Sequence, residues 1–228
     1  MPAADDVLPR PISDTLLLAR VRSLMRRRNM SRELQMRDGT NRNFGFEEAS
    51  ALLITPARIT LLSDAPTAAA TLSADLRAGL GQSIRVITSD DALIDASDVG
   101  MTDLFMIDAT VGGFRARQLF RLVADLRARQ STRLATQMVL MPSQQTEAAA
   151  MLLDLGADDV ILGSVGTQEL VLRAKALVRH KMDQDRLRDS LRDGLHAAIT
   201  DPLTGLYNRR YAETHLRHIA KQARAVGR

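Results

Sequence analysis

The sequence predicts an α/β chain: a doubly wound domain with a five-stranded parallel sheet, flanked by long helices. Three observations predict it. Between residues 58 and 180, five short apolar runs alternate with helical patterns. Those runs are continuously apolar, as strands covered on both faces of a parallel sheet must be. On either side lie charge-rich stretches free of proline, with apolar residues at helical spacing.

Taken in order, the chain opens with a short strand pattern at Asp6–Leu8 and a helix from about Asp14 to Met36. The apolar stripe of that helix (Leu17, Val21, Leu24, Met25) has no sheet to cover, so the helix is expected to be poorly anchored and its stripe open. Asn41–Ala57 reads as a connector with a short helix around Glu47–Leu53, closed by Pro56. Arg58–Leu62 is the first strand of the main domain. The helix Ala65–Gly79 follows, stopped by Gly79 and Gly81. Then come a strand at Ile84–Ile87, a helix at Ala92–Asp98 and a strand at Leu104–Ile107. A helix at Arg115–Gln130 places Leu119, Leu122, Val123 and Leu126 on one face. A strand at Gln137–Met141 leads to a helix at Thr146–Leu155, ended by Gly156. Val160–Leu162 is the fifth strand, and the last long helix runs from near Thr167 to Ile199. Five such units make a flavodoxin-like domain, whose chemistry sits at the carboxyl ends of the strands.

Composition narrows the class. Among 228 residues there is no Cys, which excludes a disulfide scaffold and a cysteine metal site. No apolar run approaches the roughly 20 residues of a membrane span, and the first residues lack a secretory signature; a cytoplasmic protein is the simplest reading. The net charge of +4 comes largely from arginines at Arg20–Arg28 and Arg209–Arg228. With few aromatics for base stacking, these read as solvated helix faces, so neither nucleic acid nor membrane is the expected partner.

An internal repeat is the most informative feature. Ala4-Asp5-Asp6-Val7-Leu8 reappears as Ala157-Asp158-Asp159-Val160-Ile161. Leu17–Arg26 parallels Leu170–Arg179, Leu34 parallels Leu187, and Arg37-Asp38-Gly39 recurs, with a small slip, as Arg192-Asp193-Gly194. Self-similarity at a long offset marks duplicated modules. The first copy reads as only the final strand and helix of a domain of the same kind.

The residues after the strands are Ser63-Asp64, Asp108, Met141-Pro142-Ser143 and Gly163-Ser164. Here the sequence resembles the receiver domain of bacterial response regulators. The resemblance implies acids after strand one, a phosphorylated Asp after strand three, a hydroxyl after strand four and Lys-Pro after strand five. Carboxylates of that set hold Mg²⁺, a hard cation that takes oxygen ligands, while Mg²⁺ and Lys neutralise the transferring phosphoryl group. In this chain Asp108 stands at the phosphoacceptor position and Asp64 is the remaining acid; both are the metal-ligand candidates and both are expected to be vestigial. Ser63, Met141 and Gly163-Ser164 replace the other members. The expectation is a degenerate receiver kept as a spacer and dimerisation element.

Beyond the domain, Leu187, Leu191, Leu195 and Ala198 form a narrow apolar seam among charged residues, suited to a two-helix contact. The helix runs into Asp201-Pro202-Leu203-Thr204-Gly205-Leu206-Tyr207-Asn208-Arg209-Arg210. Pro202 and Gly205 force a turn, and Asp201 before Pro202 reads as an N-cap and first-turn pair. This string resembles the opening segment of the GGDEF domain, the catalytic domain of diguanylate cyclases. Asp201, Leu203, Thr204, Asn208, Arg209 and Arg210 carry over as structural junction residues, the arginines as partners for carboxylates of that domain.

The order of parts resembles two-receiver diguanylate cyclase response regulators. It implies a terminal strand and helix of a first receiver (1–40), a linker (41–57), a degenerate receiver (58–180), a signalling helix (181–199) and the start of a GGDEF domain (200–228). In such proteins phosphorylation by a sensor histidine kinase drives dimerisation, and two GGDEF domains with Mg²⁺ join two GTP into cyclic di-GMP. The Gly-Gly-Asp/Glu-Glu-Phe string is absent from these residues. The chain is therefore expected to be inactive alone, to need no cofactor itself, and to form a homodimer through receiver and helix. The alternative is a stand-alone receiver-like adaptor that binds a protein partner.

Overall fold

In a computed structural model, residues 12–42, 56–94, 102–111, 116–201 and 203–225 are described. The strand expected at Asp6–Leu8, the short helix around Glu47–Leu53 and Pro202 lie outside them. The chain divides into two units. The first comprises residues 1–31 and 51–183, the second residues 32–50 and 184–228.

The elements follow as α1 (Asp14–Arg42), β1 (Ile59–Leu62), α2 (Pro66–Leu80), β2 (Ile84–Ile87), α3 (Ser89–Ile94), β3 (Leu104–Asp108), α4 (Ala116–Ala128), β4 (Thr136–Met141), α5 (Thr146–Leu155), β5 (Asp159–Leu162), α6 (Thr167–Ile199) and α7 (Arg209–Ala225). All five strands are parallel, in the order β2-β1-β3-β4-β5. This is the flavodoxin-like sheet that the alternation of patterns predicts.

The strand sequences explain the order. β1, β3 and β4 are buried at every residue, as strands sandwiched between helices must be. The edge strand β2 carries the half-exposed Val86. Because strand side chains alternate, one face of the sheet gives Leu62, Phe105, Ile107, Val139, Met141 and Val160 to a core with α4 and α5. The other face gives Ile59, Leu61, Leu104, Met106, Met138, Leu140 and Ile161 to a core with α2 and α6.

Glycines set two of the helix boundaries. Gly81 ends α2 at φ +67° and Gly156 ends α5 at φ +118°, a left-handed backbone that glycine adopts without strain. Gly79 does not stop α2. It lies inside the helix, where a Cβ would come within 2.5 Å of Val171 Cγ2 on α6; the residue permits close packing there.

In the first unit, residues 14–31 of α1 are anchored, contrary to expectation. Ala19 is fully buried and Leu16 packs against the α4–α5 core. The Arg20 guanidinium donates to the Val160 carbonyl of β5 at 3.0 Å and pairs with Asp159 at 2.5 Å. Arg22 makes a two-pronged bond to Asp154 at 3.0 and 2.7 Å, Ser23 donates to the Ala157 carbonyl, and Arg26 to that of Leu153. The expected stripe points elsewhere: Leu17, Val21 and Met25 are exposed, and Leu24 is half-buried. α1 docks largely through polar side chains, which supply donors to the carbonyls of Val160 on β5, Leu153 on α5 and Ala157 between them.

In the second unit, Leu34 and Gly194 are buried, and Leu187 and Leu191 are half-buried. Leu195 is 65% exposed and Ala198 is also exposed, so the expected apolar seam fades towards its C-terminal end. Among the described residues, no helix is long and apolar enough to cross a membrane.

Candidate functional site

The carboxyl rim of the sheet in the first unit holds the residues that the strand pattern singles out. Asp108 ends β3 and is almost completely buried. One carboxylate oxygen accepts from the Thr110 backbone N–H at 3.0 Å and the Thr110 hydroxyl at 2.5 Å; the other lies 3.5 Å from the Ser63 hydroxyl. Asp64 turns away. Its two oxygens accept from the Ser89 backbone N–H at 2.8 Å and the Ser89 hydroxyl at 2.7 Å, at the start of α3. The two aspartates thus engage separate partners.

The rest of the rim follows the same trend. Met141 is fully buried at the end of β4, with Ser143 exposed two residues on. Gly163 follows β5 at φ +78°, and its N–H donates to the Met141 carbonyl at 2.8 Å. A Cβ at position 163 would lie 3.3 Å from Ser143 Cβ, so a lysine there would be strained and crowded.

The residues present do not fit an Mg²⁺ site. That ion demands several oxygens in octahedral array, whereas Asp64 is held by Ser89, Asp108 is bonded by Thr110, and Ser63 offers a neutral hydroxyl. Among the described residues, no group of three or more His, Cys, Asp or Glu side chains is placed to hold a metal. Sequence reasoning does not name Thr110 or Ser89. The Asp108-Ala109-Thr110 spacing is one at which aspartate bonds locally to backbone, a signal for the first. Nothing in the sequence pairs Asp64 with a serine 25 residues away.

The second unit holds the junction. α6 ends at Ile199, Thr200 forms an antiparallel bridge with Tyr207, and the chain reverses between them. Asp201 does not cap α7. One of its carboxylate oxygens accepts from the Leu203 N–H at 3.0 Å, the Thr204 N–H at 3.0 Å and the Thr204 hydroxyl at 3.1 Å. The Thr204 donors and then the Leu203 N–H hold its pKa below the usual carboxylate range. Gly205 completes the turn at φ +70°, donating to the Asp201 carbonyl.

The cap of α7 is Asn208, whose side-chain oxygen accepts from the Tyr211 N–H at 2.9 Å. Its backbone N–H donates to Ile199 and its side-chain amide to Ala198, both at 2.8 Å. Arg209 pairs with Glu213 one turn on at 2.7 Å, and Arg210 is exposed. Leu203 is 94% exposed at the tip. Asp201, Thr204 and Asn208 therefore act together on one turn, whereas Leu203 and Arg210 face solvent.

The chain is 32% identical over 227 residues to the response regulator PleD of Caulobacter vibrioides, in two strains, covering 98% of this chain. The similarity to PleD runs along nearly the whole chain. The chain spans about half the length of the curated relatives it matches, 48% of each. No family model matches it.

Two solved structures agree with the fold alone. NtrX from Brucella abortus superposes with a TM-score of 0.50 at 19% identity, over 59% of this chain and 29% of NtrX. The adenylate cyclase from Rhodopirellula baltica gives 0.51 at 14% identity, over 61% of this chain and 98% of that one.

Proposed function

We propose that this chain is the regulatory portion of a diguanylate cyclase response regulator, relaying a phosphorelay signal through α6 and the Asp201–Asn208 turn to a cyclic di-GMP-forming domain. The observation that carries the reading is the extent of the PleD match: 98% of the chain takes in the receiver-type domain, the helix and the turn in one order. The turn supports it physically, since Asn208 donates twice to the end of α6 and accepts once from the first turn of α7, tying the two helices together. Such a joint passes a change in the helix to whatever follows it.

Within this reading, residues 58–180 are a degenerate receiver, 181–199 the signalling helix and 200–228 the opening of a GGDEF domain. The Gly-Gly-Asp/Glu-Glu-Phe string does not occur in the 228 residues, so synthesis from GTP belongs to a domain outside them. Residues 1–40 are the last strand and helix of a first receiver. Their support is the repeat: Leu170, Val171, Ala174 and Val178 cover their own sheet and are buried, while the equivalent Leu17, Leu18, Val21 and Met25 are exposed. That face of α1 has the residues of a sheet-covering helix. A sensor histidine kinase, a homodimer and a cytoplasmic setting complete the proposal.

The test is direct. The purified chain is given GTP and Mg²⁺ and assayed for cyclic di-GMP, then given acetyl phosphate and weighed intact, with Asp108→Asn as control. The expected result is no product and no phosphoryl adduct. Cyclic di-GMP from this chain alone overturns the assignment of synthesis elsewhere, and an adduct lost in Asp108→Asn overturns the degenerate receiver.

A further inference from the structure

Arg20 and Arg173 occupy the same position of the internal repeat, yet both pair with one carboxylate. Asp159 lies 2.5 Å from Arg20 Nη1 and 3.3 Å from Arg173 Nη1. All three side chains are largely withdrawn from water, at 7% exposure for Arg20, 9% for Asp159 and 18% for Arg173. Arg173 also pairs with Glu169 one turn earlier on α6. We propose that residues 14–31 of α1 form a releasable strap on the face made by α5 and β5, with Arg173 holding the charge of Asp159 when Arg20 leaves.

Two features of the first unit carry this, and neither depends on the cyclase reading. One is the chemistry of the contact. α6 is held to the sheet by Leu170, Val171, Ala174, Leu177 and Val178, all buried. α1 is held chiefly by Arg20, Arg22, Ser23 and Arg26 to a carboxylate pair and three carbonyls, with Ala19 and Leu16 as apolar support. The exposed Arg22–Asp154 pair is weakened by salt, the buried Arg20–Asp159 pair much less so, and apolar packing is not weakened.

The other feature is the penalty for release. A buried carboxylate stripped of its one cation is strongly destabilising. Asp159 escapes that penalty, because Arg173 stays on α6 whether or not α1 is docked. The strap therefore detaches without disrupting the sheet, and a charge change at the α1 face is enough to move it.

The experiment uses the whole chain, which has no native cysteine. Spin labels are placed at Leu18→Cys on α1 and Leu172→Cys on α6, both exposed, and their separation is read by pulsed dipolar spectroscopy. One narrow distance distribution is expected at low salt. In Arg20→Gln a second, broad population is expected, at least ten times that of the unaltered chain, and it should grow further at about 1 M salt, where the screening length falls to about 3 Å and the remaining Arg22–Asp154 pair is weakened. In chemical denaturation, Arg20→Gln and Arg173→Gln should each lower the folding constant modestly. The double variant should fall at least tenfold below the product of the two, and adding Asp159→Asn should recover that excess. An unchanged narrow distribution in Arg20→Gln at high salt overturns the strap. Additive losses in the double variant overturn the role of Arg173.

Discussion

Asn208 holds Ala198 across the turn: its side-chain amide donates to the Ala198 carbonyl at 2.8 Å, ten residues back. The same side chain accepts from the Tyr211 N–H, so one residue closes α6 and opens α7. Asn208→Ala removes both bonds and should cost about 1 kcal/mol of local stability, as for other lost N-caps. Asn208→Asp keeps the cap but loses the donor to Ala198. Hydrogen exchange should show fraying at 209–212 in the alanine variant and protection retained there in the aspartate variant.

The turn should also loosen in acid. Asp201 accepts from Thr204 and Leu203, which lowers its pKa in the folded state. A depressed folded pKa means that the unfolded chain takes up the proton first as pH falls. The contribution of this carboxylate is thus complete at neutral pH and is lost as pH drops below about 4. Exchange at Leu203 and Thr204 should accelerate there relative to the rest of the second unit, and Asp201→Asn should abolish the pH dependence.

Gly79 faces Val171 where α2 and α6 pack. Gly79→Ala should destabilise the first unit by about 1–3 kcal/mol through overpacking, despite alanine's better helix propensity. Val171→Ala in the same chain should return part of the loss. Gly81→Ala meets no atom within 4 Å but sits at φ +67°; it should cost about 1 kcal/mol from backbone strain alone, with no rescue by Val171→Ala. Denaturant midpoints of the four variants decide the matter.

Gln137 is fully buried in β4, opposite Phe105 of β3, and its side-chain amide has no hydrogen-bond partner among the described residues. Gln137→Met keeps the length and removes the polar atoms. It should raise stability by about 1 kcal/mol, seen as a higher denaturant midpoint with unchanged slope. A loss of stability would mean that the amide is satisfied in solution.

Much of the fold is legible from the sequence for a physical reason. β1, β3 and β4 are covered on both faces, so Ile59–Leu62, Leu104–Ile107 and Gln137–Met141 are apolar at all but Thr60 and Gln137, and such runs read as buried strands. The α6 boundaries follow from an uninterrupted helical run. Contacts between distant residues are not legible. The docking of α1 depends on Arg20 meeting Asp159 and Val160, about 140 residues away, and the stripe Leu17, Val21 and Met25 gives no hint of it. At the junction the sequence points to Asp201 as the cap, whereas Asn208 caps α7, because Asp201 is engaged by Leu203 and Thr204. At the rim, the positions of Asp64 and Asp108 are readable, but their separate partners, Ser89 and Thr110, are set by the loops.

The most direct measurement joins this chain, at its C-terminal end, to the rest of an active GGDEF domain. Cyclic di-GMP formation from GTP is then followed for the fusion, for the fusion carrying Asp201→Ala and Asn208→Ala, and for the chain alone. A relay predicts product from the fusion, a marked loss when the turn is broken, and none from the chain alone. A folded fusion whose output ignores the broken turn, or product from the 228 residues by themselves, would contradict it.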